Sequence, residues 1–357
     1  MWPYWFLFLI PAFYSISKFR LVDWTASSPP LQWRLMGILI FLMVGFRFEV
    51  GGDWFTYLEQ LEELNIPFDN IVEIGRGEFS YKLLNWLAIQ IGIGIYLPNL
   101  VSSCLFTLGL MSFCQNSPRP WLALLLAVPY LIIVVAMGYT RQGASIGLMM
   151  FGLVALKNNN HLKFLFWATL AALFHKSSVI LVPLALFTGS RRPIINSFAI
   201  IVTGILLFVL ILQEHVDFLI YGYLEQNYQS SGAAIRIAMN AIPACIFLIY
   251  KKRFKLNSNE LNFWSWMSYG ALAFILLLII SPSSTAVDRV ALYWIPIQIY
   301  VGSRLPDALG SKTASRKFWV VTIIAYCAIV QMVWLVFGDT SYAWIPYKFF
   351  LWEWIWT

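Results

Sequence analysis

Long apolar runs broken by short polar clusters set the pattern of this chain. The runs fall at roughly 2–17, 33–50, 92–113, 121–138, 141–156, 162–175, 177–189, 194–213, 235–250, 263–281, 289–303 and 318–337. They are continuous rather than alternating, and many approach the roughly 18 residues that span a bilayer as a helix. A β-barrel, whose strands alternate in polarity, does not fit them. Turn residues punctuate the gaps, as at Ser27-Ser28-Pro29-Pro30, Asn116-Ser117-Pro118, Asn158-Asn159-Asn160 and Asn257-Ser258-Asn259. The expectation is an all-α polytopic membrane protein with about 12 transmembrane helices. Runs 162–175, 177–189 and 289–303 are short enough for tilted, re-entrant or broken helices.

Composition agrees. Only 11% of residues are charged against 60% hydrophobic, and the mean hydropathy is +0.72, far from the roughly 25% charged of soluble domains. The pattern reads as a single integral membrane domain over 1–357, with an acidic outer loop near 51–91 that holds a helical segment and a polar outer loop near 213–235. Met1-Trp2-Pro3-Tyr4 lacks a basic stretch and no small-residue cleavage site follows, so a cleaved signal peptide is not expected.

Charge then supplies orientation. The net charge of +7 does not point to nucleic acid, because its basic residues sit in short loops. Lys18, Arg20, Arg34, Arg119, Lys157, Lys163, Arg191, Arg192, the Lys251–Lys255 cluster, Arg304, Lys312, Arg316 and Lys317 fall in alternate loops, with only Asp23, Glu260 and Asp307 beside them. By the positive-inside rule that side is cytoplasmic. Cys104, Cys114, Cys245 and Cys327 lie in or beside apolar runs without metal or redox spacing, and read as small hydrophobes.

Against that bias, Arg47, Arg141, Arg236 and Arg289 sit at the outer mouths of apolar runs. Lys176 beside His175 reaches the same level, as do Tyr347 and Lys348 near the end. A lone arginine there snorkels to the interface; four together suit a shared anion, because a guanidinium grips two phosphate oxygens at once. Trp54, Phe55 and Tyr57 follow Asp53, Tyr139 precedes Arg141, and Tyr293 and Trp294 follow Arg289. Such aromatics stack on sugar rings or form an interfacial belt.

Asp53 follows a Gly pair at a helix exit near Arg47. It is placed either to take a proton from an attacking hydroxyl or to pair with an arginine. His175, in Leu173-Phe174-His175-Lys176-Ser177-Ser178, is the alternate base. His161 and His215 have no evident partner. Glu59, Glu62 and Glu63 share one helix face and, with Asp69, Glu73 and Glu78, read as a solvated acidic loop. The Tyr221–Gly232 stretch reads as a connector or a lid. No DxD or HExxH pattern appears, and no metal ligands are assigned.

The order of these motifs resembles the EpsG family of membrane polysaccharide polymerases. The resemblance rests on Phe46-Arg47 with Gly51–Tyr57, on Tyr139-Thr140-Arg141-Gln142-Gly143-Ala144-Ser145, on Ala171–Ser178, on Asp288-Arg289 with Tyr293, and on Pro346-Tyr347-Lys348. Gly52 stands where that family more often has Thr. The resemblance implies a GT-C-like architecture and a Wzy-like activity in O-antigen, capsule or exopolysaccharide synthesis. It implies residence in the bacterial inner membrane, with the site facing the periplasm or exterior. A growing glycan would leave undecaprenyl diphosphate for a sugar hydroxyl of an incoming lipid-linked repeat unit. The expected partners are those lipid-linked oligosaccharides, membrane lipid, and a chain-length regulator or other assembly proteins, with no nucleic acid. No cofactor is expected; a divalent metal is neither required nor excluded.

On this reading Asp53, His175, Arg141 and Arg289 are catalytic. Arg47, Arg236, Lys176, Trp54, Tyr57, Tyr139, Tyr293, Tyr347 and Lys348 bind substrate. The alternatives are a polyprenyl-dependent single-sugar transferase or ligase, and a flippase of lipid-linked oligosaccharides.

Overall fold

A computed structural model describes residues 1–17, 28–71, 77–189, 193–207, 209 and 229–356, with backbone only for 354–356. About 82% of the described residues are helical, and they contain no strand. Helices α1 (Trp2–Ser17) and α2 (Leu31–Gly45) are followed by two outer helices, α3 (Trp54–Glu62) and α4 (Phe79–Gln90). Then come α5 (Tyr96–Gln115), α6 (Pro120–Ala127), α7 (Thr140–Lys157), α8 (His161–Phe174) and α9 (Pro193–Leu207). The remainder is α10 (Ala233–Tyr250), α11 (Ser258–Ile280), α12 (Ser284–Ala291), α13 (Ile295–Leu309), α14 (Thr313–Phe337) and α15 (Phe350–Trp356). Four helical stretches, Tyr96–Gln115, Ala233–Phe254, Ser258–Ile280 and Thr313–Phe337, are long and apolar enough to cross a membrane.

Each expected apolar run carries helix, with local departures that have physical causes. The run 33–50 stops at Gly45, because Arg47 forms an isolated antiparallel bridge with Phe349 and Glu49 adopts φ +50°. Pro129 has no N–H to give an α-helical bond, and α6 continues from Val128 to Ala136 as a π-helix. Pro183 likewise sits inside Lys176–Phe187, which is a 3₁₀ segment instead of an α-helix. The run expected from 289 begins earlier, at Ser284, where the Ser283 side chain caps the Ala286 N–H. Residues 210–228, most of the expected outer loop at 213–235, lie outside the described residues, as do Lys18, Arg20, Asp23, Glu73, Arg191, Arg192 and His215.

The core is built by α6 with its π segment, α7 and α13, whose side chains are almost all buried. Helix α7 packs between α5 and α8. A Cβ on Gly109 or Gly147 would overlap the facing backbone, so these two glycines let α5 and α7 touch along their main chains. Around this core, α9 and α14 turn large apolar side chains outward: Ile194 is 84% exposed and Phe337 70%. Such a shell fits hydrocarbon and would not be tolerated in water.

The helix ends fall into two sets at opposite faces of the bundle. One set holds the C-termini of α5, α7, α10 and α13. The other holds the start of α7, the His175 turn, the start of α10 and helix α12.

Candidate functional site

The start of α7 is fixed by Arg47, a side chain only 1% exposed. Its Nε donates to Val50 O (3.1 Å) and Nη1 to Val44 O (2.5 Å); Nη2 donates to Asn99 Oδ1 (3.2 Å) and Thr140 Oγ1 (2.6 Å). The end of α2, the first turn of α5 and the first residue of α7 are thereby tied together. Arg47 is thus a wall residue, every guanidinium nitrogen engaged with protein. The expected substrate contact from this residue is not what the structure places there.

One residue on, Arg141 leaves the first turn of α7 toward a cluster of charge. Its Nη1 pairs with Glu78 Oε2 at 2.8 Å, and its guanidinium lies 5.8 Å from the ring centroids of both Tyr57 and Tyr81. Glu78 sits at the N-cap of α4, but its carboxylate does not cap the helix. It reaches Arg141 and, at 3.4 Å, accepts from the Lys176 backbone N–H. Gly77 permits this approach, having φ +105° and a position where a Cβ would stand 2.6 Å from Arg141 Nη1. Burial by itself would raise the Glu78 carboxyl, yet Arg141, His175 and Lys176 outweigh it and hold the group below the usual carboxylate range. Glu78 therefore belongs to the cluster and not to a solvated acidic face. Its only sequence signal is its position, after Gly77 and before the apolar-periodic run of α4.

Asp53 occupies the N-cap of α3, where an aspartate ordinarily accepts a backbone N–H. It makes no such bond. Among the described residues its carboxylate has no hydrogen bond or ion pair, while Arg289 and Arg141 lie within electrostatic reach. Burial raises the Asp53 carboxyl above its ordinary value, and the two arginines only partly offset this. The other reading of Asp53, a pair with an arginine, is not made by its carboxylate, and Arg47 donates to Val44, Val50, Asn99 and Thr140 instead. The arginines that face Asp53 come from the starts of α7 and the last turn of α12.

His175 ends α8 in an extended conformation. Glu78, Arg141, Arg289 and Lys176 all lie within its electrostatic reach, and its ring is 6.2 Å from that of Tyr293. Its Nδ1 is buried without a partner, as is Arg141 Nε. The hydroxyl of Tyr81, whose ring faces Arg141, is a third such atom, and buried polar atoms left unpaired are costly.

Arg289 lies 5.4 Å from the Tyr139 ring, and its carbonyl accepts from Gln142 Nε2 at 2.5 Å, which joins α12 to α7. Arg236 also lies within electrostatic reach of Tyr139. It is clasped by Asp288, Nε to Oδ1 and Nη2 to Oδ2 both at 2.7 Å, and Nη2 also donates to Ser230 Oγ. Arg236 is thus paired with Asp288 and is not among the groups that act on Asp53.

The aromatics divide. Tyr139 is half-buried beside Arg289. Trp54 and Tyr57 are each 3% exposed and Tyr293 1%, so none presents an open face for a sugar ring. Trp54 packs on Phe48 and Tyr96 and lies near Arg47; Tyr293 donates to Ser145 Oγ at 3.0 Å. Tyr347 donates to Met43 O at 2.9 Å, and Lys348 pairs with Glu49 at 2.5 Å. These two hold the C-terminal segment to the end of α2, away from Arg141. Among the described residues, no three His, Cys, Asp or Glu side chains gather as a metal site.

What the geometry assembles is a half-buried carboxylate without a partner, faced by two guanidinium groups from different helices, beside a histidine and a lysine. Such a site can neutralise an oxyanion and receive a proton. Neither the curated proteins nor the solved structures contain a match to the chain. A family model, the EpsG family, matches residues 31–349 and so takes in every helix that contributes to the cluster, from α2 to α12, together with the Tyr347–Lys348 segment. With nearly the whole length matched, and the cluster inside the matched part, the chain belongs to the EpsG family.

Proposed function

We propose that the chain is a Wzy-like polysaccharide polymerase that transfers a glycan from an undecaprenyl-diphosphate donor to a sugar hydroxyl of a lipid-linked repeat unit. Family membership supports the polymerase class. The observation that carries the mechanism is the unpaired Asp53 carboxylate faced by Arg141 and Arg289. The protein would lie in the bacterial inner membrane with about twelve spans and a GT-C-like arrangement, its cluster open to the periplasm or exterior.

In the proposed step the acceptor oxygen attacks the anomeric carbon of the donor and its proton passes to Asp53. The bond from that carbon to the diphosphate oxygen breaks, and its electron pair leaves with the diphosphate. Arg141 and Arg289, assisted by Lys176, neutralise the charge that grows there, which lowers the barrier only if they favour the leaving group over the ground state. His175, with its buried Nδ1, is the second candidate to hold a proton or donate to the leaving phosphate. Glu78 keeps Arg141 extended toward the site.

Purified protein given defined lipid-linked repeat units should produce a ladder of glycan lengths. Arg141→Ala should abolish the ladder while the protein still folds; an undiminished ladder removes Arg141 from the site. One added unit per acceptor would mark a single-sugar transferase instead. A flippase would show charge near mid-membrane, whereas this cluster gathers at one end of the bundle.

A further inference from the structure

A cleft with charged residues in its wall lies at the other end of the molecule. Helix α7 runs 18 residues from Arg141's turn to Lys157, so the two ends are separated by about 27 Å along its axis. The cleft is lined by Phe113, Lys157, Glu260, Trp264, Tyr300 and Arg304, among others.

Two groups in this wall have unspent hydrogen-bonding capacity. Tyr300 is 4% exposed and its hydroxyl is buried without a partner. Its ring stacks on Trp264, centroids 3.7 Å apart and 17° from parallel. On Tyr300 lies the guanidinium of Arg304, 3.6 Å from the ring centroid. Arg304 donates only Nη1, to Tyr300 O at 3.1 Å, and among the described residues it makes no ion pair. The phenol hydroxyl is a buried donor without an acceptor, which is costly, and Nε and Nη2 of Arg304, in the same lining, make no hydrogen bond to the described residues. Lys157 donates from the rim to Asn116 O at 3.0 Å, and Glu260 lies within electrostatic reach of Arg304 without pairing.

We infer that this cleft is a binding site for the phosphodiester of an anionic phospholipid. Several converging donors suit a tetrahedral oxyanion. Among the described lining residues the cations Arg304 and Lys157 outnumber the anion Glu260, so the cleft favours a lipid with net negative charge over a zwitterion. Phe113, Leu153, Phe263 and Trp264 in the same wall give the lipid's apolar part a surface. Basic pockets between membrane helices recognise headgroups in this way. The site is separate from the Asp53 cluster and does not depend on the proposed polymerase reaction.

The test titrates short-chain phosphatidylglycerol, phosphatidylcholine and inorganic phosphate, each separately, into full-length protein in neutral detergent, and follows the thermal midpoint. A ligand that binds only the native state raises it saturably. Phosphatidylglycerol should do so and phosphatidylcholine should not. Tyr300→Phe, which keeps the stacked ring, and Arg304→Gln should each require about tenfold more phosphatidylglycerol. Equal stabilisation by inorganic phosphate would overturn the lipid and leave a free-phosphate site. Absence of any shift, or a Tyr300→Phe response identical to wild type, would overturn the site itself; if Arg304→Gln does not fold, the Tyr300 variant decides.

Discussion

Asp53 and Glu78 are both N-cap carboxylates that decline to cap, and their surroundings push them in opposite directions. Asp53 is raised by burial, so its charged form costs stability above its folded pKa. Asp53→Asn should therefore raise the thermal midpoint at neutral pH while lowering polymerisation by about a hundredfold or more; a variant that polymerises normally would remove Asp53 as the base. The acid limb of kcat/KM should lie above the ordinary carboxylate value of about 4, because a protonated Asp53 accepts nothing. A bound diphosphate adds negative charge, so the limb of kcat should lie higher still. Persistence of either limb in Asp53→Asn would assign it to another group. Glu78, held low by Arg141, contributes stability that is present above its unfolded pKa and lost as pH falls through its folded one. Glu78→Gln should lower the midpoint at neutral pH, converge with wild type in acid, and cut polymerisation about tenfold as Arg141 loses its anchor. A constant difference in midpoint across pH would show that Glu78 acts by packing and not by charge.

The helices were legible because hydrocarbon demands long apolar runs and because Pro, Gly and Asn mark where they end. The π turn at Val128–Ala136 and the 3₁₀ segment Lys176–Phe187 were legible only as a proline in each run and as the short run at 177–189, since nothing in hydropathy separates either geometry from α-helix. Arg141, Arg289, Asp53 and His175 could be picked out as polar residues at helix mouths, and they do gather. Arg47 has the same signature and is sealed in the wall, because its carbonyl partners are backbone atoms that any sequence supplies. Glu78 was hidden among other acids of its loop. The close pass of α5 over α7, which aims Arg141, rests on Gly109 and Gly147. Gly147→Leu should force the helices apart at about 1–3 kcal/mol, lowering the midpoint by several degrees and removing activity together. Gly37→Ala, whose Cβ would meet only Met111 at 3.5 Å, is the matched control and should leave both unchanged. Full activity in Gly147→Leu would mean that the α5–α7 contact does not position Arg141.

Taken together, the bundle has two dissimilar ends joined by an apolar waist. One end carries Asp53, Glu78, Arg141, His175 and Arg289, drawn inward and largely neutralised among themselves. The other carries Lys157, Lys163, Lys251, Lys252, Arg253, Lys312 and Lys317 in the turns between α7 and α8, α10 and α11, and α13 and α14. Positive turns of this kind stay in the cytoplasm, and the proposed polymerase, if it is to receive lipid-linked units from outside, needs its acidic–basic cluster on the opposite side. The two requirements agree only if Glu62, exposed at the end of α3, and Lys252, exposed after α10, lie on opposite sides of the membrane. In intact cells a membrane-impermeant maleimide should label Glu62→Cys and spare Lys252→Cys, with both labelled once the membrane is opened. Cys104, Cys114, Cys245 and Cys327 lie within helices α5, α10 and α14, and the unsubstituted chain sets the labelling background. Labelling of Lys252→Cys alone in intact cells would invert the topology and place the Asp53 cluster inside the cell, where a lipid-linked unit still awaiting export would be its substrate.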